Sequence, residues 1–251
     1  MNILLTNDDG IQSPALAMLC RAAAARGHEV TVSAPSTQQS GKGQSFTYFS
    51  PIMVHPVQME GAAAAWAVDG TPTDACRVGF RELCFEKPDL VISGINDGYN
   101  TGLATYLSGT VGAAREASFC RIPAMAVSMH EDIPDETARV YVEWLITLAE
   151  SYVTWEVPPV CVLNVNAPPV QLFDLKPPVM CQLNDTVYDY DYDRRVSPRS
   201  VTYFWPERIK PDTLVTPDSD DDWLRRGHLT CTLLTPTPCD QAAYAHLLEL
   251  I

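Results

Sequence analysis

Two adjacent carboxylates follow the first apolar segment of the chain. The segment NILLTN leads directly into Asp8, Asp9 and Gly10. Neighbouring carboxylates repel each other, so either a positive charge lies between them or both point into water. Carboxylate, amide and hydroxyl oxygens suit Mg²⁺ or Mn²⁺ better than Zn²⁺. Because aspartate and glycine are also common in turns and helix caps, the pair alone leaves a metal site and a turn open.

Two further polar segments could join this pair. Residues 36–43 are polar and contain glycine, and residues 93–102 read SGINDGYNTG; each segment follows or ends an apolar, strand-like run. Ligands of open parallel sheets bind outside the carboxyl ends of the strands, so all three segments are expected at one sheet edge. Asn96 could supply an amide oxygen to a cation, and the glycines let backbone come close to a ligand. A flexible or tight turn is the alternative.

Ser108, Gly109 and Thr110 open a helix-like segment and could bind an anion. The first turn of a helix has free N–H groups and a favourable dipole, and this one adds two hydroxyls. Ser108 could instead serve only as a helix N-cap. A phosphate site beside an acidic metal site would imply metal-assisted phosphoryl chemistry.

Composition excludes several function classes. The chain has 251 residues and a formal net charge of -14, which argues against nucleic acid polymers as partners. The sequence contains neither a signal peptide nor a stretch that would span a membrane, so we expect no membrane partner. The eight cysteines form no C-x-x-C pair and suit buried free thiols in a reducing cytoplasm. We therefore expect a cytoplasmic protein.

Other enzyme and signalling classes fit the motifs poorly. The five histidines are dispersed and form no H-E-x-x-H, which argues against a zinc hydrolase. No G-x-G-x-x-G follows a strand-like segment, which argues against a dinucleotide-binding oxidoreductase. A receiver-type signalling module also places paired acids after its first strand. That alternative needs a lysine after a late strand, but PAMAVSMH ends without one.

Strand and helix signals alternate through the first two thirds of the chain. A helix from Pro14, capped by Ser13, lies between two strand-like segments and predicts a βαβ unit. Further alternation predicts an α/β fold: a Rossmann-like, doubly wound, mostly parallel sheet in three layers. We expect the catalytic core at 1–167, with an inserted antiparallel β lobe at about 45–70. The pieces expected in that lobe are FTYFS, IMVHPVQ and AAWAVDG.

The remaining residues, 168–251, predict a partly β C-terminal extension. HLTCTLL indicates a final strand and QAAYAHLLELI a terminal helix. The acidic runs DYDYD and DSDDD are interpreted as solvated loops. Because a long irregular region needs a partner surface to become ordered, we expect a homodimer or homotetramer.

Motifs in a fixed order resemble the survival protein E family, a family of metal-dependent 5'/3'-nucleotidases. They are ILLTNDDG at 3–10, AP…QQSG at 34–41, GTPTDAC at 70–76, SGINDGYNTG at 93–102, SGTVGAAREA at 108–117 and PAMAVS at 123–128. The resemblance is strong over residues 1–167 and continues weakly towards the C-terminus. It implies a Rossmann-like N-terminal domain and a C-terminal extension that is exchanged between subunits in an oligomer.

The resemblance also implies the site. A divalent metal, Mg²⁺ or Mn²⁺, would be held by Asp8, Asp9, Ser40 and Asn96. The residues that match the family's phosphate-side motif are Asn100, Ser108, Gly109 and Thr110. The implied activity is hydrolysis of nucleoside 5'- and 3'-monophosphates to nucleoside and phosphate. Asp8 and Asp9 are the catalytic candidates: one of them could act as base for an attacking water, or an aspartate could attack phosphorus directly.

Some residues depart from the family pattern. LATYL at 103–107 replaces a segment that often contains acidic residues and a tyrosine just before the serine. Glu116-Ala117 replaces the usual Glu-Gly pair, and Lys42 and Gly43 stand where small polar residues are more usual. The metal cluster is intact, so hydrolase activity is expected. A broader phosphomonoesterase or an exopolyphosphatase is the alternative within this class.

Overall fold

A computed structural model describes residues 1–185, 189–209 and 215–236. The strands in this part of the chain are β1 Asn2–Thr6, β2 Glu29–Pro35, β3 Met53–Val57, β4 Ala64–Asp69, β5 Leu90–Asp97, β6 Ala124–Met129, β7 Val162–Ala167, β8 Lys176–Met180, β9 Asp189–Val196, β10 Thr202–Ile209 and β11 His228–Leu234. The α-helices are α1 Pro14–Ala25, α2 Pro72–Val78, α3 Gly109–Phe119, α4 Asp135–Tyr152 and α5 Asp220–Arg225. A short π-helix, Gly79–Leu83, continues α2, and 3-10 turns cover Gly102–Tyr106 and Leu172–Asp174.

The first βαβ unit forms as its sequence predicts. Ser13 is the N-cap of α1 and accepts a hydrogen bond from the Leu16 N–H at 3.4 Å, while Pro14 occupies the first turn. The buried face of α1 includes Leu16 and Leu19, which pack into the main core. β1 then pairs parallel with β2, so the crossover returns the chain to the same sheet.

Nine strands of the described residues form one sheet, in the order β3-β4-β2-β1-β5-β6-β7-β11-β8. The pairings from β4 to β7 are all parallel, with antiparallel pairs at β3–β4 and β7–β11. α1 and α4 contact each other and supply residues to one core cluster, while α2 and α3 pack together and supply a second. The predicted three-layer, doubly wound α/β fold is confirmed.

The strand order reverses between β1 and β5. After β1 the chain builds outward through β2 and β4 to β3, and it then returns to the other side of β1 with β5. The crevice at such a switch point, outside the carboxyl ends of the strands, is where doubly wound proteins bind ligands. Asp8 and Asp9 follow β1, and Asn96 lies at the carboxyl end of β5, so the fold brings these residues to that crevice.

The residues expected in an inserted lobe at about 45–70 instead extend the main sheet. β4 pairs parallel with β2, and β3 adds to its outer side antiparallel. The physical reason is apolar burial: Ala65, Ala67 and Val68 of β4 are buried and need the main sheet to cover them. The FTYFS segment is not a strand, and Tyr48 and Phe49 are largely exposed.

Residues beyond 167 also contribute to the main sheet. β11 pairs antiparallel with β7, and β8 pairs parallel with β11, so the sheet crosses the expected boundary at residue 167. β9 and β10 form a separate two-stranded sheet with exposed aromatic residues, among them Tyr192, Phe204 and Trp205. DYDYD is thus part of a strand rather than a loop. The predicted terminal helix at 241–251 lies outside the described residues.

The acidic run DSDDD is not a solvated loop. Ser219 caps α5, and Asp220 and Asp221 in its first turn are buried. The Asp220 carboxylate accepts hydrogen bonds from the N–H groups of Gly102 at 2.9 Å and Asn184 at 2.7 Å. Burial raises the pKa of Asp220 to about 6, and these N–H donors oppose that rise. Asp220 of this run therefore connects α5 to the segments that contain Gly102 and Asn184.

Removing this carboxylate should cost stability. We expect Asp220→Ala to lower the free energy of unfolding by about 2–4 kcal/mol at pH 7.5, because the buried N–H groups of Gly102, Asn184 and Asp221 lose their acceptor. Asp132→Ala, which removes a carboxylate with an 81% exposed side chain, is the matched control and should change it by less than about 0.5 kcal/mol. Urea unfolding of both variants measures the difference, and equal values would contradict the prediction.

The cysteines of the described residues are all unpaired thiols, at positions 20, 76, 84, 120, 161, 181 and 231. Cys20, Cys76, Cys161 and Cys231 are buried, and the others are half-buried. Cys239 lies outside the described residues. None of the helices described here has the length and apolar character needed to cross a bilayer.

Candidate metal and phosphate site

Asp8 lies at the base of the crevice between β1 and β5. It is only 3% exposed, and one carboxylate oxygen accepts a hydrogen bond from the Thr110 hydroxyl. Burial raises the pKa of Asp8, opposed by the Thr110 hydroxyl and by the backbone N–H groups of Thr110 and Gly109. The start of α3 thus supplies several donors to this carboxylate. The Asp8 carbonyl accepts the Gln39 N–H at 2.7 Å, which brings the segment after β2 to the same place.

Asp9 is half-buried beside Asp8. Its carboxylate accepts the Asp97 N–H at 3.3 Å, and the Gln38 side chain is a further donor. Burial, followed by the negative charge of Asp8, raises the pKa of Asp9 to about 6. Among the described residues, no lysine, arginine or histidine pairs with either carboxylate. One buried and one half-buried acid therefore lie side by side without a cationic partner from this part of the chain.

An irregularity in β5 sets the position of Asn96. The register between β5 and β6 shifts between Ser93 and Asn96. Gly94 within it has φ +136°, and a Cβ there would lie 2.2 Å from the Val127 carbonyl oxygen, so only glycine fits. The Asn96 amide nitrogen donates to the Gly98 carbonyl at 2.8 Å. Its amide oxygen has no hydrogen-bond partner among the described residues and can act as a ligand.

Ser40 lies on the exposed segment that follows β2. Its hydroxyl accepts a hydrogen bond from the Gln38 side-chain amide at 3.3 Å. The same Gln38 side chain interacts with Asp9, so one glutamine links Ser40 to the acidic pair. Gln38 therefore lies between Ser40 and Asp9, on the β2 side of the crevice.

The donor chemistry at this crevice fits an oxygen-preferring divalent cation. It offers two carboxylates, one amide oxygen and one hydroxyl, which are hard ligands of the kind that Mg²⁺ and Mn²⁺ take. Within residues 1–185, 189–209 and 215–236, no three histidine, cysteine, aspartate or glutamate side chains cluster as a metal site. A metal here would rely on two acids and on neutral oxygens. The repulsion between Asp8 and Asp9 is the electrostatic reason for it to bind.

Ser108, Gly109 and Thr110 meet the acidic pair at the start of α3. Ser108 is the N-cap and accepts from the Val111 N–H at 3.1 Å. A Cβ on Gly109 would lie 2.9 Å from the Asp8 Cβ and 2.9 Å from its Oδ2, so the helix start is in close contact with Asp8. The N-terminus of this 11-residue helix lies beside the carboxylates. An anion and a cation could therefore be bound side by side.

Asn100 is buried and makes hydrogen bonds through its side chain and its backbone. It is 5% exposed, and its amide nitrogen donates to the Ser128 hydroxyl at 2.9 Å. Its backbone N–H donates to the Asn166 amide oxygen, and its carbonyl accepts from the Asn164 and Asn166 amides. These contacts anchor the loop after β5 to the ends of β6 and β7. The phosphate-binding role that the resemblance implies for Asn100 stays a prediction.

Two residues at the crevice were not predicted from the sequence. Gln38 links Ser40 with Asp9, and Asp97 donates its N–H to Asp9 while adding a nearby negative charge. Gln38 belongs to the QQSG motif, which was a usable signal. Asp97 follows Asn96 directly, but only the hydrogen bond in the structure shows that its backbone reaches Asp9.

The fold and the crevice together define a class: Rossmann-like α/β proteins with an acidic, oxygen-lined pocket at the switch point of the sheet. The model of the family "Survival protein SurE" matches residues 3–189. A protein named 5'-nucleotidase SurE from Desulfovibrio desulfuricans is 40% identical over 238 residues, covering 93% of this chain and 92% of its own. One of the same name from Solidesulfovibrio magneticus is 38% identical, covering 98% and 96%.

A solved structure agrees with these matches. The crystal structure of the SurE protein from Aquifex aeolicus superposes with a TM-score of 0.81 at 27% identity, covering 100% of this chain and 99% of its own. The chain therefore belongs to the survival protein SurE family, and the resemblance drawn from its motifs is confirmed.

Proposed function

We propose that this chain is a divalent-metal-dependent phosphatase that hydrolyses nucleoside 5'-monophosphates, and 3'-monophosphates, to nucleoside and phosphate. One observation carries the proposal: buried Asp8 and half-buried Asp9 lie side by side next to an anion-compatible helix start, and no cationic side chain of the described residues pairs with either. Two curated relatives that this chain matches over most of its length are named 5'-nucleotidases. A cation site and an anion site in contact are what a phosphate monoester needs.

The roles of the residues follow from their positions. Asp8, Asp9, Ser40 and Asn96 would hold Mg²⁺ or Mn²⁺. Bound there, the cation supplies positive charge that polarises the phosphoryl group and makes a bound water more acidic. The backbone N–H groups at the start of α3, with the hydroxyls of Ser108 and Thr110, would orient the phosphate oxygens. Asp9, which is more exposed than Asp8, is placed to take a proton from an attacking water.

Phosphate release from a substrate panel tests the proposal. The panel contains nucleoside 5'- and 3'-monophosphates, sugar phosphates and short polyphosphate, each with Mn²⁺, with Mg²⁺ and with EDTA. We expect release from nucleotides to fall to background in EDTA and to return when Mn²⁺ or Mg²⁺ is restored in excess. Release undiminished by EDTA would contradict metal dependence, and a preference for polyphosphate would favour the exopolyphosphatase alternative.

The route of attack on phosphorus needs a separate measurement. In a single turnover in ¹⁸O-labelled water, direct attack by water places the label in the released phosphate. A covalent aspartyl-phosphate formed by Asp8 or Asp9 places the label in the carboxylate only if water then attacks the acyl carbon; if water attacks phosphorus, the label again enters the phosphate. Borohydride, which reduces an acyl phosphate, is therefore added during turnover, and mass spectrometry of the peptide that contains the aspartates shows whether the covalent intermediate forms.

The setting of the enzyme is part of the same proposal. We expect a cytoplasmic homodimer or homotetramer whose partner is the nucleotide substrate, without nucleic acid polymers or membranes as partners. The net charge of -14 supports the exclusion of polyanions. The exposed aromatic residues of β9 and β10 support a contact between subunits. Size-exclusion chromatography with light scattering measures the oligomeric state.

A further inference from the structure

Ser40 lies in segment 36–47, which hydrogen bonds hold near both of its ends and near its middle. At its start, the Gln39 N–H donates to the Asp8 carbonyl at 2.7 Å. Near its middle, the Gly43 N–H donates to the Leu107 carbonyl at 2.9 Å, directly before the start of α3. Ser40 lies between these two points and is exposed. The position of Ser40 therefore depends on the hydrogen bonds that the other residues of the segment make.

The far end of the segment is bound to Asp74. The Thr47 N–H donates to Asp74 Oδ1 at 2.9 Å, and the Thr47 hydroxyl donates to Oδ2 at 2.7 Å. The neighbouring Ser45 carbonyl accepts the Thr71 hydroxyl at 2.7 Å. Asp74 is 2% exposed, so these hydrogen bonds to a carboxylate are shielded from water.

Asp74 is itself held rigidly. It forms a capping box with Thr71: the Thr71 N–H donates to Asp74 Oδ2 at 2.9 Å, and the Asp74 N–H donates to the Thr71 hydroxyl at 3.1 Å. The helix that this box starts, α2, packs against β1, β2 and α3. A single carboxylate therefore connects the Ser40 segment to the framework that also positions Asp8.

Contacts with α3 leave the segment little room to shift. A Cβ on Gly112 would lie 2.4 Å from the Gly43 carbonyl oxygen, which shows how closely the backbone approaches the helix. The Gln44 side chain donates to the buried Glu116 at 3.3 Å. Glu116 also pairs with Arg77 at 2.7 Å, and the Arg77 guanidinium lies over the Phe46 ring. These contacts involve Gly43, Gln44 and Phe46, which follow Ser40 in the segment.

We propose that Asp74 is a positioning residue: through Thr47 it fixes the far end of segment 36–47 and so holds Ser40 against Asp8 and Asp9. The inference rests on the proposed function, because Ser40 matters only if the crevice holds a cation. It also assigns a role to the GTPTDAC motif, because Asp74 of this motif contacts Thr47 of the segment. Holding a ligand in place avoids the entropic cost of ordering a free loop when the metal binds.

Thr47→Val tests the inference, because it removes one hydroxyl donor to Asp74 and leaves the capping box intact. We expect Mn²⁺ affinity, measured by titration calorimetry on the full chain, to fall about tenfold, with faster amide exchange in residues 36–47. Thr47→Ser, which keeps the hydroxyl, should restore both. The matched control is Thr137→Val in α4, which removes a hydroxyl that donates to the Val170 carbonyl at 2.9 Å. It should leave Mn²⁺ affinity and this exchange unchanged.

Two results would overturn the inference. One is Mn²⁺ affinity and exchange in Thr47→Val that equal those of the unaltered protein. The other is an equal loss of affinity in Thr47→Val and Thr137→Val, which would indicate a general loss of stability. If the unaltered protein binds no Mn²⁺, the proposed function fails, and amide exchange alone then decides whether Asp74 holds the segment.

Discussion

Asp9→Asn should reduce metal-dependent phosphate release by about 10³-fold or more in kcat/KM. The amide keeps the shape of the side chain but removes the negative charge. Asp8 is then the one carboxylate left of the two that are proposed as metal ligands, so the proposed site loses one of its two ligand charges. The loss should persist at saturating Mn²⁺ if Asp9 also accepts a proton, and it should be relieved by excess Mn²⁺ if Asp9 only binds the metal.

The same substitution should raise stability in the absence of metal. Burial and the neighbouring Asp8 raise the pKa of Asp9 to about 6, so its ionised form is disfavoured in the folded chain at neutral pH. Removing the charge relieves that cost, and we expect a higher Tm for Asp9→Asn in EDTA. This opposition between stability and activity is common at functional sites.

Asp132→Asn is the matched control for Asp9→Asn. The Asp132 side chain is 81% exposed and lies 3.8 Å from His130, and the substitution makes the same change of charge. We expect its kcat/KM to stay within about threefold of the unaltered protein, since a surface charge contributes little. Full metal-dependent activity in Asp9→Asn would contradict the proposed site.

Gly109→Ala should lower kcat/KM by about 10²-fold, because displacing a catalytic group by even 1 Å carries a cost of that order. The added Cβ would lie 2.9 Å from Asp8 Oδ2 and 3.0 Å from Pro72, so either the carboxylate or the start of α3 must move. Both belong to the crevice. Steady-state kinetics with Mn²⁺, together with urea unfolding, measure the effect.

Gly79→Ala is the matched control for steric crowding. Its Cβ would lie 2.9 Å from a methyl carbon of Leu4 and 3.0 Å from the Ser33 Cβ, so the clash is similar but lies in the core. We expect this variant to lose stability by about 1–3 kcal/mol while its folded fraction keeps most of its kcat/KM. Equal losses of activity in both variants would show that crowding, rather than contact with Asp8, explains the result.

Local signals were enough to predict the elements around the site. The N-cap Ser13, the proline after it and the apolar run before Asn7 each act within a few residues, so β1 and α1 could be predicted from the sequence. The convergence of the segments after β1, β2 and β5 followed from the general rule for parallel sheets. These are the parts of the fold in which neighbouring residues determine the conformation.

The features that could not be predicted from the sequence depend on contacts between residues that are far apart in the chain. Asp220 is buried because Gly102 and Asn184 donate to it, and neither residue is its neighbour in the chain. β4 joins the main sheet because its apolar face is covered there, although β3 and β4 alone resemble a separate hairpin. The contact of Asp74 with Thr47 is likewise tertiary, so a motif that caps a helix gave no sign of holding a loop.

The contacts of Asp220 also affect when the protein can become active during synthesis. β11 pairs with β7 inside the main sheet, and α5 holds Gly102, which follows Asn100 in the loop after β5. Asp220 follows Gly102 by 118 residues and β11 ends at Leu234, so a ribosome must add all of these residues after the loop before the loop is secured. A nascent chain therefore carries Asp8 and Asp9 long before the crevice is complete. We therefore expect fragments that end before α5 to lack the proposed phosphatase activity.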